Sequence, residues 1–67
     1  MSLRINQTVA YTNSGGLWVI KKRIRLVGNE CQRYDIKNKK TGEELFNVRD
    51  KDLRVKGDKF FEVYSNM

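Results

Sequence analysis

The chain has 67 residues and a mass of 7.9 kDa, enough for one small domain that buries only about 60% of the surface its unfolded form exposes. That excludes a two-domain enzyme with a deep cleft. Lys and Arg number 14 against 8 Asp and Glu, a net charge of +6 with no histidine, so the commonest general base near neutral pH and the commonest metal ligand are both missing. The single Cys31 cannot form an internal disulfide, and with no histidine it completes neither a zinc site nor a Cys/His nucleophile pair. It reads as a small half-buried apolar side chain on a strand and suits a reducing compartment. The longest uninterrupted apolar run, Leu17 to Ile20, is far short of a membrane span. The expectation is a cytoplasmic protein with no catalytic residue, metal, cofactor or membrane partner. The opening Met1-Ser2-Leu3 reads as a cloning leader that carries little weight.

Ala10 is the only alanine, whereas Val, Ile and Thr are plentiful, which favours strands over helices. Glycines punctuate the chain in polar clusters at Asn13-Ser14-Gly15-Gly16, Gly28-Asn29, Lys40-Thr41-Gly42-Glu43 and Lys56-Gly57-Asp58, the pattern of turns in an antiparallel meander. In the first segment Leu3, Ile5, Val9 and Tyr11 share one face. The second, Leu17 to Val27, sets Trp18, Ile20, Ile24 and Leu26 against Lys21, Arg23 and Arg25, and Lys22 interrupts the alternation as a bulge would. The third, Cys31 to Asn38, aligns Tyr34 with Ile36 opposite Arg33, Asp35 and Lys37. A hairpin through Asn38 to Gly42 leads to Glu44 to Arg49, where the two-residue period places Phe46 and Val48 together and inward. Asp50 to Leu53 reads as one helical turn with Asp50 as its cap and Leu53 pointing inward. Arg54-Val55 and Phe60 to Tyr64 then pair across a Gly57-Asp58 loop. The whole chain, 1–67, is one domain.

An all-β meander of five to six antiparallel strands removes its exposed edges by closing into a small barrel. Thr8-Val9-Ala10-Tyr11, Leu17-Trp18-Val19-Ile20, Arg33-Tyr34-Asp35-Ile36 and Val48-Arg49-Asp50-Lys51-Asp52-Leu53, in that order and spacing, resemble the Tudor and KOW-like members of the SH3-like barrels over about residues 7 to 56. The resemblance implies a single barrel with one short helical turn near 50–53. It departs from the family at two places: no glycine of the KOW signature precedes the first strand, and residues 57–64 extend past a minimal Tudor unit.

Charge is unevenly placed. Residues 21–40 carry Lys21, Lys22, Arg23, Arg25, Arg33, Lys37, Lys39 and Lys40 against Glu30 and Asp35, an excess that equals the entire net charge of +6. The remaining residues hold six charges of each sign. A hairpin about Gly28-Asn29 would set Lys21, Arg23 and Arg25 beside Arg33 and Lys37 on an outward face. Such cations either solvate the outside of a barrel or neutralise phosphates, gaining affinity from released counterions. Base stacking needs exposed rings, and Phe46, Phe60 or Phe61, and Tyr34 all lie near apolar faces. Tyr11 and Trp18 flank the Thr12 to Gly16 loop and could meet at its rim. In Tudor-like domains the matching positions help form an aromatic cage for a methylated cation, so the resemblance implies Tyr11 and Trp18 as walls, completed by Tyr34 or Asn38. Lys39 and Lys40 would repel such a ligand. The carboxylate pairs Glu43-Glu44 and Asp50-Asp52 fall in turns among basic residues, where surface pairing is commoner than acid/base chemistry.

Two functions remain. One is a non-catalytic nucleic-acid-binding module, DNA or RNA, that uses the basic hairpin and stacks a base on Trp18 or Tyr11. The other is a protein-interaction module, such as a small phage or accessory protein docking on the acidic surface of a host complex.

Overall fold

A computed structural model describes residues 3–25 and 32–66, apart from the side chains of Arg25 and Gln32. The architecture is mostly β. Strands β1 (Thr8–Tyr11), β2 (Leu17–Arg25), β3 (Gln32–Asn38), β4 (Glu44–Arg49) and β5 (Leu53–Val55) form one antiparallel sheet in the order β4-β3-β2-β1-β5. A 3-10 turn over Asp50–Asp52 joins β4 to β5, and a short helix, α1 (Phe61–Ser65), follows.

This order forces the sheet to curl. In a flat sheet β4 and β5 would lie four spacings of ~4.8 Å apart, about 19 Å. The four residue steps from Arg49 to Leu53 span about 14 Å at full extension and less in a 3-10 turn, so the two outer strands are drawn to one corner. The concave side holds the core: Leu3, Val9, Trp18, Ile20, Tyr34, Ile36, Val48 and Leu53, with Tyr11, Leu45 and Val55 packed against it. Tyr34 and Ile36 share this face and Leu53 points into it, as the alternation predicts.

The curvature is concentrated at one level of the sheet. Ile20 pairs with Ile36 and Lys22 with Asp35, leaving Lys21 as an extra residue in β2; this is the bulge that Lys22 announces in the sequence. On the other side of β3, Tyr34 pairs with Val48 and Ile36 with Leu45, so Phe46 and Asn47 together oppose Asp35. Two bulges thus flank Asp35, and each adds local bend and twist. The second is pinned: Asn47 has φ 60, a conformation asparagine tolerates better than most residues. Its N–H donates to Asp35 Oδ1 at 3.0 Å, and its carbonyl accepts from Arg33 Nη1 at 3.2 Å.

That bulge corrects the expectation for β4. Phe46 does not join Val48 inside; it is 67% exposed, because the extra residue shifts the inward positions to Leu45 and Val48. Near the N-terminus, Leu3 is buried, with its N–H donating to the Tyr34 hydroxyl at 3.1 Å. It is therefore part of the core. Ile5 is exposed, because the chain turns over Arg4 to Gln7 with Asn6 at φ 70 and enters β1 only at Thr8.

The C-terminal expectation also fails. β5 pairs with β1, and Phe60 to Tyr64 forms no strand. Asp58 Oδ1 accepts the Phe60 N–H at 2.8 Å and Asp58 O the Phe61 N–H at 3.0 Å, turning the chain into a helix instead. Phe61 and Tyr64, three apart on α1, are the half-buried pair, and Phe60 is exposed. The helix lies against β1, and in the loop that follows β1 the Gly16 N–H donates to Tyr64 O at 3.0 Å. No side chain caps the 3-10 turn; its cap position is Arg49 rather than Asp50. Leu26, Val27, the Gly28-Asn29 turn and Cys31 lie outside the described residues. Among the described residues no helix is long and apolar enough to cross a membrane.

Candidate nucleic-acid interface

Residues directly opposite in an antiparallel ladder share a face, so the pairings sort the cations. Asp35 lies between the buried Tyr34 and Ile36 and therefore faces outward. With it on the convex side come Lys22, its partner in β2, and Arg33 and Lys37, two positions away along β3. Arg33 stands directly opposite Arg49. Lys21, in the β2 bulge, is exposed beside them.

Arg23 departs from the expected set. It pairs with Tyr34, because the one-residue bulge at Lys21 reverses which side chains point out beyond it. It is exposed but does not share the Arg33 face. Lys39 and Lys40 sit in the turn after β3, about 20 Å along the strand from Arg33. There they line an open groove of about 610 Å³ with Ser14, Leu17, Thr41 and Glu43, and Lys39 Nζ donates to Thr8 Oγ1 at 3.3 Å. The eight cations of residues 21–40 are therefore no single patch. Lys21, Lys22, Arg33 and Lys37 share one face, Arg23 looks elsewhere, Lys39 and Lys40 occupy a distant end, and the Arg25 side chain lies outside the description.

The carboxylates on this face are few and partly engaged. Asp35 accepts from the Asn47 backbone, and Glu44 stands opposite Lys37. Arg49 reaches Asp52 at 3.9 Å, and such an exposed contact is weak. Five cations thus surround two carboxylates, and Arg33 facing Arg49 is an unfavourable like-charge pair in the free protein.

The aromatic assignments change more sharply. Tyr11 and Trp18 do meet, edge to face, with ring centroids 5.8 Å apart. Yet Trp18 is 1% and Tyr34 0% exposed, so neither offers a face to a base or a methylated cation. The indole closes the Thr12 to Gly16 loop from inside: Trp18 Nε1 donates to Gly15 O at 2.8 Å. Gly16, at φ 86, lies where a Cβ would come 3.6 Å from that nitrogen and 3.4 Å from Asn38 Nδ2. The two glycines form a fitted cover for the indole rather than a loose hairpin tip. Asn38 is occupied too, its Oδ1 accepting from the Lys40 and Thr41 amides at 2.8 and 2.9 Å.

The exposed ring on the basic face is Phe46, and together with Arg49 it is what sequence reasoning missed. Period-two alternation places Phe46 inward, and only the bulge turns it out. Arg49 lies outside the charged block, and only the β3–β4 register brings it opposite Arg33. No group of three or more metal-binding side chains occurs among the described residues. Comparison of the chain with protein-family models, with curated proteins and with solved structures returns no match.

Proposed function

We propose that this chain is a non-catalytic nucleic-acid-binding module whose convex β2–β3–β4 face contacts the phosphate backbone through Lys21, Lys22, Arg33, Lys37 and Arg49. The observation that carries this reading is Arg33 placed opposite Arg49 on a face where cations outnumber carboxylates. Phosphates on that face would relieve the repulsion and release counterions. The strand order, with its outer strands drawn together by a 3-10 turn, is compatible with an SH3-like barrel of the Tudor or KOW-like kind, but fold alone does not assign function. Burial of Trp18 and Tyr34 removes the support for a methylated-cation cage.

Titrating labelled oligonucleotides against the protein at rising salt tests the reading. With about four phosphates neutralised on a single strand, log K falls with log salt at a slope near −3, or about fiftyfold in affinity between ~50 and ~200 mM. No binding at ~50 mM, or affinity independent of salt, overturns the reading. Salt-sensitive capture of a single acidic protein that survives nuclease treatment would replace it with the protein-interaction module.

A further inference from the structure

We infer that the nucleic acid held on this face is single-stranded, with one unpaired base stacked on Phe46; the inference rests on the phosphate-binding reading above. A phenyl ring 67% exposed forgoes burial that the core would reward. Here the exposure is built in. Asn47 at φ 60 is held from both sides, its N–H by Asp35 and its carbonyl by Arg33. The residue next to Phe46 is therefore fixed, and the ring is presented without ordering a loop at the moment of binding, which preserves affinity.

The surroundings choose the occupant. Phe46 opposes Asp35 on the face that carries Lys22, Arg33, Lys37 and Arg49. A second copy of this chain docked about a two-fold axis would set those cations against their own kind. A ligand that is both anionic and aromatic satisfies ring and cations together. In a duplex the base faces are stacked on one another and hidden, whereas a single strand offers them, and aromatic stacking tolerates any base. The cations then lie beside the stacked base, where its flanking phosphates run.

The test is fluorescence anisotropy at ~50 mM salt with thymidine and uridine oligonucleotides of about 12 nucleotides, a length within the site sizes of small single-strand binders, and a duplex of similar length. Phe46→Ala weakens single-strand binding roughly 10- to 100-fold and leaves duplex binding unchanged, while Phe46→Trp restores the affinity and its added indole fluorescence is quenched by the oligonucleotide. A deoxyuridine strand compared with the uridine strand separates DNA from RNA, because the two differ only in the 2′-hydroxyl. Since Phe46 is exposed, the variants fold, which circular dichroism checks. If Phe46→Ala binds single strands as the parent does while Lys22→Ala/Arg49→Ala weakens them, stacking is wrong and phosphate binding stands. If the parent binds no oligonucleotide, both fall. If Phe46→Ala instead converts a sedimenting dimer to monomer with oligonucleotide affinity intact, the ring serves a second copy and the inference is overturned.

Discussion

The β1–β5–α1 side and the β2–β3–β4 side of the sheet both feed the same core, yet they differ in charge and regularity. On the first, short strands pair without a register shift, and this side with its flanking segments holds Arg4, Lys51, Arg54, Lys56 and Lys59 with Asp50, Asp52, Asp58 and Glu62, a nearly balanced set. On the second, two bulges meet at Asp35, cations outnumber carboxylates, and Phe46 is 67% exposed against 45% for Phe60 on the first. The β4 bulge turns Leu45 and Val48 inward and leaves Phe46, the most exposed of the large apolar side chains described, among like charges. The difference marks β2–β3–β4, which also supplies Trp18, Ile20, Tyr34, Ile36 and Val48 to the core, as the side with the charged outer face.

Substitutions that break this division range from large effects to small. Trp18→Ala strikes both halves, because the indole fills the core and closes the Gly15-Gly16 loop. A loss of about 3–5 kcal/mol, against the roughly 3–10 kcal/mol expected for a domain this size, removes about half or more of the stability and lowers the midpoint of a thermal or urea melt more than any other substitution named here. Next, Lys22→Ala/Arg49→Ala reduces the salt slope of single-strand binding from near −3 to about −1.5, whereas Lys56→Ala/Lys59→Ala, on the balanced side, leaves slope and affinity unchanged. Equal effects of the two pairs would dissolve the comparison. Asn47→Val forces a β-branched residue into a left-handed conformation and costs about 1–2 kcal/mol in urea unfolding, while Asn47→Gly stays within ~0.5 kcal/mol of the parent. Smallest is Asp35→Asn, which keeps an oxygen to accept the Asn47 N–H but removes a negative charge from the face. Its melting temperature is nearly unchanged, and its affinity for a single strand rises a few-fold in the same titration.

Much of the fold was legible in the sequence for a physical reason: alternation in Trp18–Ile20 and Tyr34–Ile36 reports a buried face directly, and the break at Lys22 reports a bulge. The β4 bulge left no such mark, since Phe46 and Val48 satisfy period two while Leu45 and Val48 are the residues turned inward. The strand expected after Gly57 became α1 because Asp58 captures the Phe60 and Phe61 amides, a local competition that apolar content alone does not reveal. The location of positive charge in residues 21–40 was plain, but its division into a convex face, a diverted Arg23 and a distant Lys39-Lys40 turn depends on register. The aromatic site could not be read at all, because the rings that seemed available are those the core needs.

Chemical-shift mapping of backbone amides during titration with a thymidine oligonucleotide reads the β2–β3–β4 face residue by residue. The account predicts perturbations concentrated at Lys22, Arg33, Lys37, Phe46, Asn47 and Arg49, with β5 and α1 silent. Perturbations centred instead on the Lys39-Lys40 groove or on α1, or none at saturating oligonucleotide, would contradict it.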